Sequence, residues 1–139
     1  MNPSLIYAVG RVNQGIRREM RAHLAGFSLS VQEYTTLSVL AVRPGLSNAQ
    51  LARRALVTPQ SMIEILSKLE SRRLVRRTVD PANARVLRAE LTRAGTALLA
   101  RADPSVAEIE QQVLGAIPPR EREVVVSGML AMMDELSGR

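Results

Sequence analysis

No cysteine and no tryptophan occur among the 139 residues, and His23 and Phe27 are each the sole residue of their kind. Each shortage removes a class of chemistry. Without Cys there is no disulfide framework, thiolate metal site, iron–sulfur cluster, thiol nucleophile or thiol redox switch, and nothing points to an oxidising compartment. His23 alone cannot build a histidine metal site, so neither a metal nor another cofactor is expected. The aromatic set, Tyr7, Phe27 and Tyr34, is too small and too clustered towards the N-terminus for the stacking platforms of single-strand binders and many RNA readers. Apolar runs are short, as at Val124 to Val126, so neither a membrane span nor a secretory leader is expected. No nucleophile–base pair, phosphate loop or metal cluster is visible, which argues against an enzyme. What remains reads as one soluble, cytoplasmic domain, long enough to bury roughly two-thirds of its unfolded surface.

What is present is arginine. Arg outnumbers Lys 18 to 1, the net charge is +6 and the pI is near 11.1, which points to an anionic partner, with nucleic acid the obvious one. The charge is unevenly placed: residues 1–42 carry +2, residues 43–94 carry +7 and residues 95–139 carry −3. Arginine suits planar, forked contacts to phosphate and guanine, although a GC-rich genome produces the same bias without function.

Helix starts are marked three times. Ser30 followed by Glu33, and Ser47 followed by Gln50, have capping-box spacing, and Thr58-Pro59 supplies an N-cap with proline at the first helical position. Apolar pairs flank each cap as staples: Leu29 with Tyr34, Leu46 with Leu51, Val57 with Met62. Helices are therefore expected from about residues 31, 48 and 59. The first ends near Val42 before Arg43-Pro44-Gly45, and the second covers roughly Asn48 to Leu56. In the third, Met62, Ile65, Leu66 and Leu69 form one apolar face and leave Gln60, Ser61, Glu64, Ser67 and Lys68 on the other. Two short helices joined this tightly make a helix-turn-helix, whose second helix fits a B-DNA major groove. Leu74 to Val79 and Val86 to Leu91 then read as strands, with Asp80-Pro81-Ala82-Asn83-Ala84-Arg85 as the loop between them, and the whole is a winged helix.

Outside this module the fold class is mainly α. Leu5, Val9, Val12, Ile16 and Met20 recur at helical spacing, as do Val106, Ile109 and Val113 after Pro104, and a last helix after Pro118-Pro119 carries Val124, Val125, Met129, Met132, Met133 and Leu136. The division expected is an N-terminal helix over 1–28, the winged helix-turn-helix over 29–92 and C-terminal helices over 93–139. A second subunit burying the flanking helices is the economical arrangement, and completion of a monomer core is the alternative.

The order and spacing of Pro44-Gly45-Leu46-Ser47, Leu51-Ala52-Arg53, Val57-Thr58-Pro59-Gln60-Ser61, Leu69-Glu70, Leu74-Val75-Arg76-Arg77, Asp80-Pro81 with Arg85, and Leu91-Thr92 with Gly95 resemble the MarR (multiple antibiotic resistance regulator) family of bacterial transcription factors over about residues 28 to 100. The resemblance implies a winged-helix homodimer joined by its N- and C-terminal helices. It further implies double-stranded DNA as partner, bound at a pseudo-palindromic operator, and commonly a small anionic or phenolic effector that weakens the binding. Such a protein is cytoplasmic and associates with the nucleoid when bound to DNA. The sequence departs from the family pattern at Arg73, where glycine often ends the helix in a left-handed turn. It departs also at Ala82 and Asn83 in the wing and at Glu64, where a basic residue is frequent. Pro104 is expected to kink or break the fifth helix, with Asp103 as N-cap of its second part.

On this pattern Gln60, Ser61 and Glu64 face base edges, since Gln pairs with adenine and Glu accepts from cytosine, while Ser47 and Lys68 face phosphates. Asn48, Thr58, Pro59, Arg76 and Asp80 complete the DNA-facing set together with Arg85, which is placed at the end of the wing loop to enter a minor groove. The plainer readings are a solvated helix face, and a surface Arg85 paired with Asp80, which could also orient it. The family's effector site would fall near Met20, His23, Phe27 and Tyr34, with Arg17 or Arg21 for a carboxylate; equally, His23 reads as an ordinary helix residue and Phe27 and Tyr34 as core. The function indicated is a ligand-released repressor of transcription. The alternative is an architectural or protein-interaction winged helix without ligand response.

Overall fold

The computed structural model describes residues 2–138. They fall into two compact units that divide after Val106. The first contains α1 (Leu5–Leu24), a short 3-10 turn (Ala25–Phe27), α2 (Val31–Val42), β1 (Leu46–Ser47), α3 (Asn48–Arg54), α4 (Pro59–Ser71), β2 (Val75–Asp80), β3 (Asn83–Leu91) and the beginning of α5 (Arg93–Gly115). The second holds the remainder of α5 and α6 (Pro119–Ser137). No helix among the described residues is long and apolar enough to cross a membrane.

The three marked helix starts form as expected, at Val31, Asn48 and Pro59. Each is set by a hydroxyl that satisfies a backbone N–H at the third helical position. Ser30 Oγ accepts from Glu33 N at 3.0 Å, Ser47 Oγ from Gln50 N at 3.3 Å and Thr58 Oγ1 from Ser61 N at 3.1 Å. In the first two the box is closed by the return bond from the cap's own N–H to Glu33 Oε1 or Gln50 Oε1.

Three helical segments end alike. Ser28 (φ 54°), Leu56 (φ 62°) and Arg73 (φ 59°) all adopt the left-handed conformation without being glycine. After each, the next amide reaches five residues back, Leu29 to Leu24 O, Val57 to Ala52 O and Leu74 to Leu69 O, closing a Schellman turn. The expected second helix therefore stops at Arg54 rather than Leu56, because Leu56 is the residue that reverses the chain.

The two-stranded wing is in fact part of a three-stranded antiparallel sheet of order β1-β3-β2. Gly45, at φ 82°, turns the chain so that its N–H bonds Ala89 O at 2.9 Å, and Leu46 pairs with Ala89 and Ser47 with Arg88. Leu24, Leu37, Leu40, Leu51, Met62, Leu66, Leu69, Val75, Leu99 and Ala102 share one core, so α1, α2, the helix-turn-helix, the sheet and the start of α5 are packed as a unit. Gly95 packs directly on the backbone of Leu74, whose carbonyl oxygen would lie 2.0 Å from a Cβ at that position. Thr92 N donates to Leu74 O at 3.1 Å and Thr92 Oγ1 donates to Arg73 O at 2.6 Å, mooring α5 against the start of β2.

Pro104 does not break α5, which runs from Arg93 to Gly115 with the proline inside it. Asp103 is therefore no N-cap. Its carboxylate instead accepts from Tyr34 OH at 2.6 Å, while Ser105 O and Oγ lie 2.9 and 3.1 Å from His23 Nδ1. The bond lost for want of a proline N–H is offset by these ties on either side and by burial of Leu99 and Ala102.

Candidate nucleic-acid interface

The helix-turn-helix turns one side of α4 inwards and the other to solvent. Met62, Leu66 and Leu69 are buried and Ile65 half-buried, whereas Pro59, Gln60, Ser61, Ile63, Glu64, Ser67 and Lys68 are exposed. The turn is fixed from both ends: Asn48 Nδ2 donates to Pro59 O at 3.0 Å, and the Thr58 hydroxyl donates to Ser61 Oγ at 3.0 Å. Asn48 Oδ1 is buried without a hydrogen-bond partner among the described residues. The side chains of Gln60 and Glu64 make no hydrogen bond or ion pair among the described residues, which leaves an acceptor–donor amide and a carboxylate standing one turn apart on the same ridge. Lys68 lies one more turn along the axis, about 6 Å beyond Glu64. It lines a groove of about 420 Å³ with Ser28, Glu33, Ser67, Ser71 and Arg72.

The wing differs from the expected loop. β2 ends at Asp80 and β3 starts at Asn83, so only Pro81 and Ala82 turn the chain. Arg85 is thus a residue of β3, not the end of a loop, and a register irregularity follows Val79, which pairs with Leu87 while Asp80 pairs with Asn83. Asp80 does not meet Arg85. Its Oδ1 accepts from Ala82 N at 2.9 Å and its Oδ2 takes the Arg88 guanidinium at 2.6 Å. The Ala82 amide first, and the Arg88 guanidinium second, hold the Asp80 carboxyl below the usual range. Arg88 also donates to Gly45 O at 2.7 Å, and so ties the entry of β1 to the end of β2 across the central strand. With its side chain turned to these inner partners, Asp80 shapes the hairpin. The Arg85 guanidinium is exposed and makes no ion pair among the described residues.

Several other arginines of the basic segment are also held within the protein. Arg76 Nε meets Glu90 at 2.7 Å across the strands, Arg77 meets Glu70 of α4 at 3.0 Å through Nη2, and Arg72 donates to Ser28 O at 2.7 Å. The Arg77 bond lowers the Glu70 carboxyl and raises the Arg77 guanidinium. Arg43, Arg53, Arg54, Lys68, Arg73, Arg85 and Arg93 remain exposed with no ion pair among the described residues. The buttressing role of Arg88 was not legible from charge alone, because its partners lie on β2 and in the turn that enters β1.

Of the residues named for an effector, the structure brings three towards α5. His23 reaches Ser105, Tyr34 reaches Asp103, and the Arg101 guanidinium lies 5.9 Å from the centroid of the Phe27 ring. Burial, followed by the bond to Asp103, pushes the Tyr34 phenol up to about 12. Met20 packs against the core, and half-buried Arg17 makes no ion pair among the described residues. No cluster of three or more His, Asp or Glu side chains able to hold a metal ion occurs among the described residues.

Known proteins share both the sequence and this architecture. A model of the MarR family matches residues 27–86. The HTH-type transcriptional repressor Rv2887 of Mycobacterium tuberculosis is 41% identical over 120 residues, covering 86% of this chain and 84% of the relative. The crystal structure of that MarR family protein in complex with salicylic acid superposes with a TM-score of 0.75 at 35% identity, covering 97% of each chain. Its complex with DNA gives 0.75 at 33% identity over 97% of this chain and 98% of that one. The same order of helices and wing, carried by this level of identity over most of both chains, makes the chain a member of the MarR family.

Proposed function

We propose that the chain is a homodimeric transcriptional repressor that binds a pseudo-palindromic operator and is released by a small aromatic carboxylate. The observation that carries the reading is the solvent-facing ridge of α4, where Gln60 and Glu64 stand exposed and unpaired beside a capped, rigid helix start. On a helix that enters the major groove, this ridge meets base edges, and the exposed Arg53 and Arg54 of α3 and Arg85 of β3 supply positive charge for phosphates and the minor groove. Ser47, Asn48, Thr58 and Pro59 set the position of the ridge, and Arg76 and Asp80 set the wing, rather than reading sequence themselves.

Dimerisation is supported by apolar surface left bare at both chain ends. In α1, Leu5, Ile6, Tyr7, Val9 and Val12 are exposed. In α6, Val124, Val125, Val126, Met129, Leu130, Met133 and Leu136 are exposed and no residue is buried. Surface of this kind is covered in a stable protein, and two copies related by a twofold axis match a palindromic site. The mycobacterial relative crystallised with DNA and with salicylic acid supports both operator and effector class. A salicylate-like molecule suits the region of Arg17, Met20, His23, Phe27 and Tyr34, which offers a cation, an imidazole and two aromatic rings.

Fluorescence anisotropy tests the reading. The protein is titrated with the duplex upstream of its own gene and with a shuffled duplex, at several salt concentrations, with and without salicylate. Preference for the native duplex by roughly a thousandfold, reduced by salicylate, is expected. Equal, steeply salt-dependent binding to both duplexes would instead indicate an architectural protein.

A further inference from the structure

We propose that Ile63 is a specificity residue, packing its side chain on the C5-methyl group of a thymine in each operator half-site. The inference rests on α4 being the DNA-reading helix. Along α4 the other apolar side chains are turned inwards: Met62, Leu66 and Leu69 are 0, 1 and 0% exposed and Ile65 is half-buried against the core, whereas Ile63 is 48% exposed. At about 100° per residue, Ile63 stands between the buried stripe and the ridge of Gln60 and Glu64, on the flank that carries Glu70 two turns later. That flank faces the wing, since Glu70 bonds Arg77 of β2.

The same face of the hairpin continues outwards from Arg77 to Val79, which pairs with Leu87. These two are 56 and 44% exposed. The gap between helix and wing is therefore bridged at its inner end by an ion pair and bordered further out by aliphatic side chains. Phosphates and water have no use for such a border. The major groove offers one apolar group, the thymine methyl, and an aliphatic side chain on the reading helix matches it. Gln60, one turn before Ile63 with its Cβ about 5–6 Å away, has the amide chemistry for adenine, so the two residues together favour adjacent A·T pairs.

Binding sites are selected from a random duplex library with the wild-type protein, and each conserved thymine is then replaced by deoxyuridine, which removes the methyl and leaves the pairing intact. At one thymine per half-site the wild type is expected to lose about fourfold in affinity for each methyl removed, about fifteenfold for both. The Ile63→Ala protein is expected to bind the thymine duplex with a matching deficit and to be indifferent to deoxyuridine. Ile63→Gln is expected to select a different base at that position. A melting curve equal to the wild type checks that the variants fold. If the wild type selects a site but Ile63→Ala keeps the full deoxyuridine penalty, or if no thymine shows one, this inference is overturned while the regulator reading stands. A wild type that selects no sequence overturns both.

Discussion

Replacing Gly95 by alanine tests how the winged helix is moored to α5. A Cβ at this buried position would lie 2.0 Å from Leu74 O and 3.0 Å from its carbonyl carbon, both backbone atoms that no rotamer change can move. Restoring ordinary contact requires about 1.4 Å of separation between the first turn of α5 and the start of β2. Such a shift breaks the bonds from Thr92 N to Leu74 O and from Thr92 Oγ1 to Arg73 O. At about 1 kcal/mol each, with 1–3 kcal/mol of strain in the adjoining core, the expected loss is about 3–5 kcal/mol. For a chain of this length, that lowers the melting temperature by roughly 10–15 °C. The measurement is thermal denaturation followed by circular dichroism at one fixed protein concentration, with Ala97→Ser, an exposed change in the same turn of α5, as the control expected to melt with the wild type. A Gly95→Ala protein that melts within about 3 °C of the wild type would refute the close approach and the reasoning built on it.

Other predictions follow from strain, titration and charge. Leu56→Gly relieves a left-handed leucine that is 89% exposed and buries nothing, so a gain of about 0.5–1 kcal/mol is expected in chemical denaturation; a loss would contradict the strain argument. The Tyr34 phenol is raised to about 12 in the folded protein, so the neutral form is the one the fold favours. Its contribution is complete below the unfolded value near 10 and is lost as pH rises towards 12. Tyr34→Phe should flatten the fall in stability across that window, as read from denaturation midpoints in alkaline buffers. Arg85→Ala should weaken native and shuffled duplexes by a similar factor, about three- to tenfold, because a minor-groove arginine reads potential more than sequence; unchanged affinities would remove the wing from the mechanism.

What was legible in the sequence was local. Ser30, Ser47 and Thr58 announce helix starts because a cap is made within three residues, and the structure begins helices at the next residue in each case. The family pattern singled out Arg73 as an uncomfortable left-handed residue, and it has φ 59°. What was not legible depends on distant partners. β1 is two residues long and exists only because β3 lies beside it. The pairing of Asp80 with Arg88 rather than Arg85 follows from a two-residue turn and a register irregularity that composition does not reveal. Pro104 reads as a break by its chemistry, yet Tyr34 and His23 hold the residues on both sides of it. At the interface, periodicity separated the two faces of α4 but left out Ile63, which stands on the border between them.

On the function proposed, the outer ridge of α4 is where base sequence is read. The most direct test of this is the ratio of affinities for the native upstream duplex and a shuffled duplex, measured for the wild type and for the double variant Gln60→Ala, Glu64→Ala. With base contacts worth about 1–3 kcal/mol each, a wild-type ratio of roughly a thousand is expected to fall to about fifteen, the share left to the two Ile63–thymine contacts, while the affinity for the shuffled duplex stays within about threefold. A ratio that survives the double substitution would contradict that reading.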